Sequence, residues 1–286
     1  MKQIYTNTST PTPILPTPLE LELFCIQIWN FYRNSGRNFV WRNVEDPYKV
    51  VVSEIMLQQT QTARVAQKYP QFIELFPSFQ SLAAASFLDV LSAWQGLGYN
   101  RRAKFLHQLA VRVVTLHNGK LPHLPEELVK LPGIGTNTAG SVAAFAYNVP
   151  TVFIETNIRS VFIHHFFKAD EYIHDRHILP LVAATVDRLD ARNWYYALMD
   201  YGVMLKQLHG NPSRKSAHHV VQSKFEGSDR QMRAQIIREL IARPALDFQS
   251  LQHVTQTTEE RLRRIIASME KDAMIFSHDQ RWSIAE

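Results

Sequence analysis

The stretch Leu131-Pro-Gly-Ile-Gly-Thr-Asn-Thr-Ala139 puts two glycines two residues apart directly behind Pro132, and an apolar helix is expected to follow. Glycine tolerates positive φ and admits close backbone approach. The first amides of a helix are unpaired and carry a partial positive charge, so such a turn suits a phosphate. Glu155 follows sixteen residues after Ala139. Together these residues offer a hold on a nucleic-acid backbone with an acidic side chain one helix further along. An ordinary helix–helix connection uses the same Gly-x-Gly turn, so other motifs must decide.

Two further motifs do. They are Ser53-Glu-Ile-Met-Leu-Gln-Gln-Thr60 and Trp94-Gln-Gly-Leu-Gly-Tyr-Asn-Arg-Arg-Ala103. With Leu-Pro-Gly-Ile-Gly-x-x-Thr-Ala, the chain resembles the helix–hairpin–helix (HhH-GPD) superfamily of base-excision DNA glycosylases. The order and spacing of the three motifs are those of the MutY-type adenine glycosylases, over roughly Phe39 to Lys206.

Excising a base breaks an N-glycosidic bond. The sugar gains oxocarbenium character, and the base leaves as an anion unless it is protonated. Two carboxyl groups in different environments suit this work, one stabilising the cation and one donating a proton. The resemblance assigns the cation to Glu155, in Val152-Phe-Ile-Glu-Thr-Asn-Ile-Arg159. The family has Asp then Gly where this chain has Glu155 and Thr156, whereas Asn157 and Arg159 match. A Glu keeps the charge and reaches one methylene further. A helix-terminal Glu complementing the dipole is the plainer alternative, with Asn157 as a carboxylate support or cap. The resemblance assigns the proton donor to Glu54, whose counterpart protonates the purine at N7. Burial beside an apolar run is expected to raise its pKa. A hydrogen-bonded core Glu is the alternative.

The target atom cannot be reached inside the base stack, so the nucleotide must be extruded and its gap filled. By resemblance, Gln58 and Gln59 enter that gap and Tyr99 wedges beside the opposite base. Trp41 and Arg42 match a Trp-Arg pair near the pocket, while Trp94 reads as core. Arg101, Arg102 and Lys104 form a basic run beside Tyr99 that suits phosphates or a solvated helix face. Gly133, Gly135, Thr136, Asn137 and Thr138 are the expected backbone clamp. The resemblance also implies a sodium or potassium ion held by main-chain carbonyls at Gly133 and Gly135. Bifunctional relatives carry a Schiff-base Lys where this chain has Asn137. An amide cannot form that adduct, which favours hydrolysis without strand cleavage.

Stepping outward, almost every periodic segment reads as helix. Apolar residues at helical spacing mark 19–36, and Asp46-Pro47 should open the next helix, over 48–59. Further helices are expected at 62–74, 81–93, 100–117, 125–130, 137–146, 155–167, 174–189 and 192–208, with no strand pattern among them. Fold class is therefore mainly α: a two-lobed helical array over 19–208 behind a flexible Thr/Pro-rich arm at 1–18. Residues 209–226 form a basic linker where relatives carry four cysteines for a [4Fe–4S] cluster. Cys25 is the one cysteine of this chain, so no such cluster is expected. Residues 227–286 read as a small winged-helix-like domain, with helices at 228–241, 248–254 and 259–271 behind Thr258 as N-cap, then a short hairpin. A recognition helix would carry Arg261, Arg263 and Arg264. The strand-rich 8-oxoguanine-recognition domain of MutY-type enzymes is not found there.

The 286 residues carry a formal charge of +5. From Glu226 onward there are nine Lys/Arg against ten Asp/Glu, so the excess lies in the first 225 residues. This suits a polyanion, and double-stranded DNA is the expected partner. No apolar run approaches the roughly 20 residues of a membrane span. The expectation is an intracellular monomer, cytoplasmic or nucleoid-associated, whose last domain meets DNA or protein. No cofactor is required, and the histidines lack zinc spacing. The expected activity is monofunctional hydrolysis of a flipped base, with mispaired adenine leading. Hypoxanthine, an alkylated purine or a mismatched pyrimidine are alternatives, as are a non-catalytic damage sensor and a regulator using the winged helix.

Overall fold

A computed structural model describes residues 16–167, 172–221 and 224–286. Residues 1–15 of the expected arm lie outside the described residues. Its last residues are helix-forming instead. Thr17 caps the first helix in a reciprocal box with Glu20, whose carboxylate accepts the Thr17 amide at 2.7 Å, and Pro18 opens the first turn.

The helices are α1 (Pro18–Ser35), α2 (Pro47–Leu57), α3 (Thr62–Leu75), α4 (Phe79–Ala84), α5 (Phe87–Ala93), α6 (Arg101–Leu116), α7 (Pro125–Leu128), α8 (Thr136–Tyr147), α9 (Thr156–Phe166), α10 (Asp175–Thr185) and α11 (Ala191–His209). The C-terminal part adds α12 (Asp229–Ala242), β1 (Leu246–Asp247), α13 (Phe248–Thr255), α14 (Glu259–Lys271), β2 (Ile275–His278) and β3 (Arg281–Ile284). The single helix expected over 81–93 is two. Ser86 accepts the Asp89 amide at 3.1 Å and so begins a new helix inside that span. The helix expected to reach 189 stops at Thr185, and the Leu189 and Asp190 amides turn back onto Asp187 Oδ1 at 2.9 and 3.0 Å.

The chain divides into two compact units. The first holds the described residues up to Arg37 together with Val152–His219. Its centre is aromatic: the Phe24 ring lies 5.3 Å from Phe162 and 6.3 Å from Trp194. The segment after α11 is closed by polar contacts. Asn211 Oδ1 caps a 3-10 turn at Pro212–Lys215 and also accepts the Ser160 hydroxyl of α9 at 3.4 Å. Ser216 pairs with Ile173 as a parallel bridge, through bonds of 2.9 Å to the Lys215 carbonyl and 3.0 Å from the Ala217 amide. Ser213 and Ser216 are buried.

The second unit holds Asn38–Thr151 together with Val220–Glu286. In its C-terminal part, β1, β3 and β2 form an antiparallel sheet in that order, and Thr258 caps α14. The apolar stripes of α12 (Met232, Ile236, Ile237, Leu240) and α14 (Leu262, Ile265, Ile266, Met269) are buried. They belong to the same hydrophobic cluster as Trp94, Leu97 and Leu106, so one continuous core runs through this unit. Among the described residues no helix is long and apolar enough to cross a membrane.

Candidate active site

Two of the three motifs of the second unit meet around Arg102. This side chain leaves the first turn of α6 and is only 8% exposed. Its Nη1 donates to the carbonyls of Ile55, Met56 and Gln58 at 2.8, 2.9 and 2.5 Å. Its Nη2 donates to Thr60 Oγ1 and to the carbonyls of Leu97 and Gly98 at 2.9, 3.2 and 3.0 Å. The last carbonyls of a helix lack internal partners, and here a buried guanidinium supplies them for α2. Burial pulls the Arg102 pKa down to about 10. The expectation that Arg102 contacts phosphate is therefore corrected. Its Nη1 and Nη2 donors are spent on tying α2, the Trp94–Gly98 turn and α6 together.

That tie places the polar end of α2 against α8. Gln58 Nε2 donates to Thr138 Oγ1 at 3.2 Å, and the Ser141 hydroxyl donates to Glu54 Oε2 at 2.6 Å. Glu54 is half-buried rather than sealed in the core. Ser53 does not hold it; its hydroxyl bonds back to the Val50 carbonyl at 2.9 Å. Gln59 is exposed with φ 55°, beyond the end of α2. The glycine turn before α8 is built as its sequence demands. Gly133 has φ 77°, and a Cβ there would meet Phe105 Cβ at 2.7 Å. Gly135 is the N-cap of α8, and Gly133, Gly135, Thr136 and Asn137 are all exposed.

Tyr99 sits just before α6 with φ 48° and is half-buried. Arg101 is mostly exposed and reaches Asp272 at 3.6 Å. Trp41, expected near the pocket, is instead a core ring, 5% exposed and stacked on Phe39 at 4.8 Å. Arg42 is 8% exposed, its guanidinium 5.2 Å from the centroid of the same Phe39 ring. Both side chains are thus largely buried. A cavity of about 440 Å³ in this unit is lined by Asp46, Tyr48, Phe79, Lys120 and Tyr147 among others, and none of the candidate residues lines it.

In the first unit Glu155 is the N-cap of α9. Its Oε1 accepts the Asn157 and Ile158 amides at 2.7 and 2.9 Å, and its Oε2 accepts Asn157 Nδ2 at 3.2 Å. Asn157 thus both supports the carboxylate and shares in the cap. Burial pushes the Glu155 carboxyl above its usual range; the two amides and the cations Lys206 and Arg159 pull against that. Arg159 itself pairs with Asp175 at 2.6 Å.

Lys206, on α11, was not singled out from sequence. Its Nζ donates to Asn157 Oδ1 at 2.6 Å, which fixes the amide so that its NH₂ faces Glu155. Burial lowers the Lys206 pKa, while Glu155 opposes that. The readable signal was a cation directly after the apolar run 203–205 and four residues after Gly202. A Cβ at Gly202 would lie 2.6 Å from the Asn157 carbonyl, so both residues face the start of α9.

Comparison with known proteins identifies the family. A family model described as HhH-GPD superfamily base excision DNA repair protein matches residues 52–180. The adenine DNA glycosylase of Mycolicibacterium smegmatis is 31% identical over 231 residues, covering 74% of this chain and 78% of that protein. The chain belongs to the HhH-GPD superfamily of base-excision DNA repair proteins. The adenine DNA glycosylase of Mycobacterium tuberculosis is 41% identical over 152 residues, covering 53% of this chain and 49% of that one. The chain thus spans about half the length of several curated relatives. The solved structure of a thermostable thymine-DNA glycosylase superposes with a TM-score of 0.60 at 21% identity, over 69% of this chain and 92% of that one, and shares the fold.

The HhH-GPD match spans Glu54, Gln58, Tyr99, Arg102, Gly133, Glu155 and Asn157 and stops before Lys206. Among the described residues, no group of three His, Cys, Asp or Glu could hold a metal ion. The stretch 209–226 offers no thiolate, so its residues do not fit an iron–sulfur cluster. The bonds of Asn211, Ser213 and Ser216 close it instead.

Proposed function

We propose that this chain is a monofunctional DNA glycosylase that removes mispaired adenine from double-stranded DNA. The observation that carries the reading is that two carboxylates at motif positions are held in different ways. Glu54 receives a neutral hydroxyl, and Glu155 receives N–H donors beside a lysine. As an acid, Glu54 gives its proton to N7 of the purine. The C1′–N9 bond then breaks, its electron pair leaves with the base, and the sugar becomes an oxocarbenium ion. Glu155 as carboxylate stabilises that cation, water adds at C1′, and the water's surplus proton returns the site to its starting state. Gln58, Gln59 and Tyr99 support the opened duplex. The exposed amides at the start of α8 suit a phosphate, and Asn137 leaves that turn without a Schiff-base amine. The Gly135 carbonyl accepts the Ala139 amide at 2.8 Å, and its second lone pair leaves room for a sodium or potassium ion.

The test is incubation with duplexes carrying adenine opposite guanine, 8-oxoguanine, cytosine or thymine, and duplexes carrying hypoxanthine, an alkylated purine or a mismatched pyrimidine. Abasic sites are then cleaved with alkali. Product from the adenine mismatches, dependent on alkali, is expected. Strand breaks before alkali would contradict the monofunctional assignment, product from another lesion alone would reassign the substrate, and binding without any product would favour a damage sensor.

A further inference from the structure

The part of the second unit that follows residue 226 lies outside the HhH-GPD match, yet it reaches the residues within it. Its third helix is poorly suited to read DNA. Arg261 is bound to Asp229 at 2.6 Å, Arg264 to the same carboxylate at 3.2 Å, and Arg263 to Glu259 at 2.8 Å. Each guanidinium of the expected recognition helix is thus matched by a carboxylate of its own module. The outward contacts are made elsewhere. Asp272, just after α14, accepts Arg233 at 2.6 Å and faces Arg101 at 3.6 Å. Lys104 Nζ donates to the carbonyls of Asp272 and Ala273 at 2.6 and 2.8 Å. These bonds lock α12 and the α14–β2 turn against the start of α6.

Beside that lock, Arg230 of α12 donates Nη1 to the Tyr99 hydroxyl. The Arg230 guanidinium lies 5.4 Å from the Tyr99 ring centroid, and that of Arg102 lies 5.5 Å from it. Arg102 is itself immobilised by six oxygen acceptors. Tyr99 also carries a left-handed backbone, φ 48°, which is costly for a residue with a side chain and must be held by its surroundings. The ring is therefore held both by the Arg102 network and by the C-terminal helices.

We propose that Arg230 is a positioning residue for Tyr99, and that the C-terminal module acts on opposite-base discrimination by fixing this ring rather than by reading DNA with α14. The proposal rests on the glycosylase reading above and on the role of Tyr99 beside the opposite base. A charged donor on a phenolic oxygen is stronger than a neutral one and holds the ring to a narrow range of angles. A ring so held accepts one opposite base better than the others, because a stacking partner must meet it at a fixed distance and tilt.

The experiment measures single-turnover excision of adenine opposite 8-oxoguanine, guanine, cytosine and thymine for the wild type, Arg230→Leu, Arg230→Lys, Tyr99→Phe and the double variant Arg230→Leu/Tyr99→Phe. Tyr99→Phe removes only the acceptor oxygen, so it serves where Arg230→Leu fails to fold. The expected result is that Arg230→Leu and Tyr99→Phe each cut the rate ratio between the best and worst opposite base by about tenfold. The double variant should lose no more than either alone, and Arg230→Lys should recover most of the ratio. A uniform rate loss with an unchanged ratio, or additive losses in the double variant, overturns the proposal. A wild type inactive on every one of these duplexes overturns the adenine assignment, and the proposal with it.

Discussion

The two carboxylates that the motifs single out live in contrasting surroundings. Glu54 lies along α2 and meets a hydroxyl from the neighbouring α8. Glu155 begins a helix, collects its first amides, and is backed by an asparagine whose orientation a lysine sets. A hydroxyl can donate to a carboxylate or accept from a carboxylic acid, so it serves both protonation states of Glu54. Amide N–H groups can only donate, so those around Glu155 favour the charged form. On the proposed reading, the hydroxyl suits a group that gains and loses a proton, and the amides oppose the burial that raises the Glu155 carboxyl.

Four substitutions test that contrast. Glu155→Gln removes the charge while keeping shape, and single-turnover excision is expected to fall about a thousandfold. Retained activity would move the cation-stabilising role elsewhere. Glu54→Gln should cost about a hundredfold at neutral pH, with the loss shrinking on a substrate whose base leaves readily without protonation. An equal loss on both substrates would deny it the role of acid.

Lys206→Met carries the sharpest sign. Burial holds the Glu155 carboxyl above its usual range, and the active form is the carboxylate, so activity should fall as pH drops through that raised value. Removing the lysine deletes a cation that favours the carboxylate, so the acid limb of the rate–pH profile should move to higher pH. A displacement of one unit is a tenfold loss on the acid side that is recovered as pH rises. A loss independent of pH would mean that Lys206 acts through packing alone. Ser141→Ala should be the mildest, about threefold in rate, because water can replace one neutral donor at a half-buried carboxylate; a loss as large as that of Glu54→Gln would make Ser141 part of the proton path.

Much of this architecture could be read from the chain because its signals are local. Asp46 before Pro47, Thr258 before Glu259 and the apolar stripe of α14 are cap and period patterns contained within a few residues. The split between α4 and α5 was also local, since Ser86 with Asp89 three residues on is a cap signature. Arg102 failed for a different reason. Adjacent to Arg101, it reads as part of a surface charge run, and the oxygens that engage it lie 42 to 47 residues away along the chain or in the preceding turn. The burial of Trp41 was not legible either, because only the packing of Phe39 and Tyr69 places its ring inside. Lys206 closes an apolar run and looks like a helix end; its role depends on α9 crossing α11 at that point.

That crossing depends on Gly202. Its missing methyl group leaves room for the Asn157 carbonyl, and an added Cβ would stand 2.6 Å from that oxygen, with backbone in the way rather than a yielding side-chain tip. In a helix interior, alanine would be preferred to glycine by roughly 0.5–1 kcal/mol. The chain forgoes that gain to let a neighbouring helix begin where it does. Gly202→Ala would therefore make α11 a better helix in isolation while displacing the first turn of α9 and the carboxylate anchored there. The residue with the least chemistry of its own thus governs where the negative charge stands, and an enzyme could be silenced there by one added carbon without touching any group that reacts.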